Sequence, residues 1–168
     1  GEGYKQVQVD DGLLYGAGLT IGYLKGFVLR AYASYNEAAD GVKTDEGGQY
    51  RGEVNLACFA GFRNEIVSLG AEYNMMMNSG FVNDADRSGT SVYATVNLND
   101  NIGLYGRWDY LSSKELWDKT SDGMAGIAGM EIKLGKYVRL SPNFRIWKPS
   151  DDSVKNQTYF YLNASFAL

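Results

Sequence analysis

Apolar and polar residues alternate one for one through nine segments of this chain, and no other feature constrains its fold so tightly. The segments run over 13–23, 27–35, 51–62, 67–77, 91–98, 102–110, 124–134, 138–146 and 159–168. Leu13, Tyr15, Ala17, Leu19 and Ile21 set the pattern, which Val67, Leu69, Ala71, Tyr73, Met75 and Met77 repeat. Side chains on a strand point to opposite faces in turn, so a period of two predicts a β-strand with one apolar and one polar face. Ten charged residues fall inside these segments: Arg30, Arg51, Glu53, Glu72, Arg107, Asp109, Glu131, Lys133, Arg139 and Arg145. All ten lie on the polar face. The 21 Gly and 23 aromatic residues suit turns and sheets better than helices. The expected fold is all-β, an antiparallel up-and-down arrangement in one domain over 1–168.

The connections alternate between short and long. The short ones centre on Lys25-Gly26, Arg63-Asn64-Glu65, Asn99-Asp100-Asn101 and Gly135-Lys136. Keeping the apolar faces in phase predicts a three-residue loop at Leu24-Lys25-Gly26, with Gly26 in the left-handed position. It also places Tyr93 opposite Arg107 and Glu131 diagonal to Arg139. The long connections cover 37–49, 78–88, 112–122 and 148–156, rich in Asp, Lys, Ser and Gly. Pro142 lies within a strand and cannot donate to a ladder, so a bulge is expected at Ser141-Pro142.

Several chemistries are excluded or disfavoured. The absence of His removes a His base, a Ser-His or Cys-His nucleophile and a His-ligated metal. One Cys allows no internal disulfide, and Cys58 on the apolar face reads as a small hydrophobe. A net charge of -4 argues against nucleic acid as a partner. Asp84, Asp86, Asp151 and Asp152 have no calcium-loop spacing and read as solvated loop charges. No enzymatic activity, cofactor or metal is expected.

The apolar face must meet either lipid or an enclosed core. Strands of about ten residues span a bilayer when tilted, and short turns on one side with long loops on the other fit a membrane barrel. A core holding the whole apolar face would be too large for a soluble barrel of this size. Aromatics band at the segment ends. Tyr35, Tyr50, Tyr73, Trp108 and Tyr110 lie toward the long loops, and Tyr23, Phe27, Phe62 and Phe166 toward the short turns, as two interfacial girdles would. The mean hydropathy of -0.30 does not oppose this, because membrane barrels carry a weak hydropathy signal.

The final segment, with Thr158, Phe160, Leu162, Ala164, Phe166 and Leu168, resembles the terminal strand by which bacterial outer-membrane β-barrels are read by the barrel-assembly machinery. It departs from the usual terminal Phe in ending on Leu. The run Gly103-Leu104-Tyr105-Gly106-Arg107-Trp108-Asp109-Tyr110 is similar to strands of porin-like barrels, phosphate-selective porins included. The resemblance implies an outer-membrane location, with the bilayer, lipopolysaccharide, the assembly machinery and small solutes as partners, and leaves homo-oligomer formation open. It implies a passive pore in which the ten charges line the lumen, six basic and four acidic, giving a preference for anions. The alternative is a non-conducting structural or adhesive barrel, with a salt-bridged interior and binding loops. Such barrels have even strand counts. Either Tyr4 to Val9 supplies a tenth strand, or the chain is the C-terminal part of a larger barrel.

Overall fold

The computed structural model describes residues 12–38 and 51–166. Nine strands follow one another: β1 Leu14–Leu24, β2 Phe27–Asn36, β3 Glu53–Arg63, β4 Val67–Met77, β5 Arg87–Asn97, β6 Ile102–Ser113, β7 Gly123–Leu134, β8 Val138–Pro149 and β9 Gln157–Phe166. They form one sheet in sequence order, each antiparallel to the next. Helix is confined, among the described residues, to two single 3-10 turns, Ser79–Phe81 and Lys114–Leu116. The sheet is not closed into a barrel: β1 and β9 are its two edges. Nine alternating strands leave these edges running in the same direction. The proposed tenth strand, Tyr4 to Val9, lies outside the described residues, as do Tyr50 and Leu168.

Register keeps the two faces separate across the full width. On one face Ile21 pairs with Leu29, Leu29 with Ala60, Ala60 with Ala71, Ala71 with Val92 and Val92 with Trp108. The polar row beside it joins Arg30, Phe59, Glu72, Ser91 and Asp109. A one-residue slip at any hairpin would send all later apolar side chains to the wrong side. None occurs.

Four expectations are corrected. The first hairpin has a two-residue turn, with Leu24 pairing Phe27 and both Lys25 (φ 53) and Gly26 (φ 91) left-handed. The extra residue sits in β1 as an irregularity between Ile21 and Leu24, so the phase survives without a three-residue loop. No bulge forms at Ser141-Pro142. The β7–β8 ladder has no pairs between Gly129↔Asn143 and Ile132↔Leu140, then resumes in the same register. A missing N–H interrupts pairing here without adding a residue. Arg51 precedes β3 rather than lying in it. Finally, several strands run further toward the long loops than the apolar pattern reached. Lys148 thus enters β8 on the apolar face, opposite Met124, as the one charge there among the described strand residues. It stands next to the strand's last residue, where its aliphatic stem can carry the ammonium to water.

Burial is inverted relative to a soluble sheet. Every strand residue that is buried, among the described residues, lies on the polar face: Ser34, Gly70, Ser91, Ser113, Gly123, Asn143 and Pro149. Among the described residues the one buried hydrophobic side chain is that of Ala85, in a loop. Leu19 is 64% exposed, Leu69 47% and Phe144 47%. Side chains converge on the concave side of a bent sheet and splay on the convex side, so the polar face is the concave one.

Gly26 gives a test of the first turn. A Cβ there would meet the Arg63 carbonyl, and the left-handed φ penalises any L side chain. Gly26→Ala should cost about 1–2 kcal/mol or more in denaturant unfolding from detergent micelles. Gly22→Ala, with open space around it, should stay within about 0.5 kcal/mol. Equal effects at the two sites would contradict the tight turn.

Candidate functional site

The concave face gathers the charges that the sequence assigned to one side. Six strands place basic groups there: Arg30 on β2, Arg63 on β3, Arg87 on β5, Arg107 on β6, Lys133 on β7, and Arg139 and Arg145 on β8. The acids are Glu53, Glu72, Asp109 and Glu131. Arg63 and Arg87 were missed because they lie where a strand meets its connection, beyond the clear alternation. Arg51 is exposed just outside β3.

Some charges are held in defined pairs. Arg107 directs Nε to both Asp109 oxygens, at 2.8 and 2.9 Å. Its second guanidinium nitrogen donates to Ser91 Oγ at 3.2 Å, and that hydroxyl in turn donates to Asp109. Tyr93 lies opposite Arg107, and Arg139 reaches Glu131 at 3.9 Å, both as the spacing required. These pairs are part-exposed, and such pairs contribute about 0–1 kcal/mol each. Their effect is on the field across the face rather than on stability. Glu72 accepts from Asn74 Nδ2 at 2.6 Å, and Glu53 accepts from Asn55 and from the backbone of Gly80. Neutral amide donors thus share the role that the sequence gave to arginine. Arg30 donates to Thr20, Lys133 to the Asp100 carbonyl, and Arg145 to Asn143 while lying 4.7 Å over the Tyr161 ring.

Aromatic rings form the second component of this face. Tyr93 covers Gly70 on the neighbouring strand, where a Cβ would collide with the ring. Phe59 covers Gly61, two residues on, and Tyr105 covers Gly129 while its hydroxyl meets Ser141 at 2.7 Å. Gly61 and Gly70 face each other across β3 and β4. The Phe59 and Tyr93 rings lie almost parallel above them, with an interplanar angle of 11° and centroids 6.2 Å apart. Phe59 escapes notice in the sequence because its partner is a glycine pair, which becomes visible only once the register is known.

The expected girdle residues sit on the convex face. Tyr35, Tyr73, Trp108, Tyr110, Phe27 and Phe166 are exposed there, and Phe62 is half-buried against Phe27 with ring centroids 4.7 Å apart. Trp108 and Tyr110 stack at 6.0 Å. Trp108 stands nearer the middle of β6 than its end, since the strand continues to Ser113. Tyr23 belongs to β1, and its side chain is outside the described residues. Cys58 is a free, exposed thiol on the same convex face.

Two long connections interlock above the sheet. Lys114, after β6, meets Asp84 at 3.0 Å and Asp86 at 3.6 Å, both before β5. The hydrogen bond that Lys114 donates to Asp84 holds its pKa above the ordinary value. Arg87 pairs with Asp118 at 3.5 Å and lies over Trp117, whose indole donates to the Asp86 carbonyl. Asp122 is fully buried and accepts from the Ser113 backbone (2.7 Å) and hydroxyl (2.6 Å). Asp84 and Asp86 are therefore partnered loop charges rather than merely solvated ones. Among the described residues no group of three or more acidic or Cys side chains is placed to hold a metal.

Asp122 fixes this connection, and removing it would strand a buried N–H. Asp122→Ala should therefore cost about 1–3 kcal/mol in micelle unfolding. A value indistinguishable from zero would mean that the Ser113 bonds are not formed.

The chain matches no protein-family model, no curated protein and no solved structure.

Proposed function

We propose that this chain builds the wall of a bacterial outer-membrane β-barrel and acts as a passive, porin-type pore for small solutes, with a preference for anions. The observation that carries this reading is the inversion of burial. Nine strands about 4.8 Å apart and eleven residues long present an apolar face of roughly 1,500 Å². Soluble monomers rarely expose a contiguous apolar patch of more than a few hundred Å². No second layer covers this one among the described residues. Lipid is a solvent that makes such a face favourable, and strands of this length cross its hydrocarbon when tilted.

The direction of the edges sets what closure requires. Because β1 and β9 are parallel to each other, an antiparallel wall needs an odd number of further strands between them. The concave polar face then encloses water. Its described strand residues comprise seven basic and four acidic groups, an excess that favours anions in the lumen. Location in the outer membrane, delivery through the assembly machinery and contact with lipopolysaccharide rest on the likeness of the last strand to barrel signals. A pore of this kind has no chemical step and needs no cofactor.

The crowding of Tyr32, Phe59, Tyr93, Tyr105, Tyr159 and Tyr161 on the polar face favours a second reading. In a narrow barrel these rings fill the interior, leaving a non-conducting anchor with binding loops. Planar-bilayer recording under a salt gradient separates the two. The pore reading expects conductance steps and a reversal potential on the anion side, largest at low salt. Lys133→Glu with Arg145→Glu should move that potential toward cations. Absence of conductance at every voltage would leave the anchoring barrel.

A further inference from the structure

We infer that the concave face carries a subsite for a neutral sugar ring, built on the Phe59–Tyr93 platform. The inference deepens the pore reading by naming a solute class, and it rests on the polar face being the wetted one. Arg30, Tyr32, Ala57, Phe59, Glu72 and Tyr93 line a recess of about 400 Å³ on this face. That volume is in the range of small-molecule sites. Phe59 stands in the register row between Arg30 and Glu72. The glycine pair beneath lets the two nearly parallel rings settle against the backbone, so together they present an apolar floor to the recess. Tyr32, 43% exposed, adds a further ring at the margin.

The charge at the recess selects among ligands. One guanidinium and one carboxylate flank the floor, so the recess is locally neutral although the face as a whole is basic. Arg107 beyond Tyr93 is held in an ion pair by Asp109, whereas Arg30 and Glu72 bond the neutral side chains of Thr20 and Asn74. An inorganic anion would gain from Arg30, be repelled by Glu72 and leave the rings unused. A sugar ring matches all three components. Its C–H face lies on the aromatic floor, and its edge hydroxyls donate to the carboxylate and accept from the guanidinium. Hydrogen bonds to charged groups are the stronger kind, which suits a ligand rich in hydroxyls.

Calorimetric titration of the full chain, folded in detergent micelles, with maltotriose and glucose tests this. Saturable binding of either sugar, stronger than that of inorganic phosphate or benzoate, is expected. Glu72→Gln should weaken it about tenfold. Phe59→Ala should abolish it and Phe59→Trp should retain it, with β-sheet circular dichroism confirming that each variant is folded. No saturable sugar binding by the folded wild-type protein, or tighter binding of phosphate or benzoate, would overturn the inference. So would sugar affinity unchanged in Glu72→Gln. The measurement needs no conductance. Sugar binding by a protein that gives no current steps supports the subsite and rejects the pore, whereas current steps without sugar binding reject the subsite alone.

Discussion

The unbroken antiparallel register is the constraint on which the other features depend. Each hairpin returns the chain with its apolar side chains on the same side, and eight successive pairings preserve that phase. With no α-helix or second sheet among the described residues to pack against, hydrogen bonding carries the cohesion of the fold, and the apolar face contributes only through the solvent it meets. This is the reverse of a soluble sheet, where burial of the apolar face dominates. It also explains how the chain tolerates Pro142. The lost donor interrupts one ladder for two pairs, yet the β8–β9 ladder continues through Pro142↔Leu162 and holds the strand in line.

Much of this was legible in the sequence because a period of two is a geometric signal. The faces, the strand order implied by alternating short and long connections, the Arg107–Asp109 pair and the diagonal contact of Arg139 with Glu131 all follow from counting along strands. The first turn was misread for a physical reason. Phase arithmetic requires an extra residue near Gly26, but a loop residue and a strand irregularity satisfy it equally. The extent of β5 was misread because residues 87–90 carry an arginine, hydroxyls and a glycine instead of alternating apolar groups. The loop clamp was invisible because Lys114 and Asp84 are 30 positions apart and meet only when two connections stack. The alternation reads the same in an open sheet as in a closed barrel, so the open edges at β1 and β9 were not legible, and the strand expected before Leu13 lies outside the described residues.

Arginine and aromatic residues on the concave face act together. Paired charges such as Arg107 with Asp109 contribute little to stability, but they fix where the field is neutral and where the basic excess stands. Rings lying over glycines turn a backbone surface into an aromatic one. One face can therefore hold a general electrostatic preference and a local neutral recess. The two properties sit on different residues, Lys133 and Arg145 for the first and Phe59 and Glu72 for the second, and are separable by substitution.

The orientation of the sheet is the claim on which the functional reading stands, and a site-directed spin-label scan along β4 tests it most directly. With Cys58 replaced by Ala, single cysteines from Val67 to Met77 would be labelled in protein reconstituted into vesicles. Collisions with oxygen, which partitions into lipid, should peak at Leu69, Ala71 and Tyr73. Collisions with a water-soluble nickel complex should peak at Ser68, Glu72 and Asn74, in opposite phase. The reverse phase, or a uniform response to the aqueous reagent at all positions, would show that the apolar face does not meet lipid.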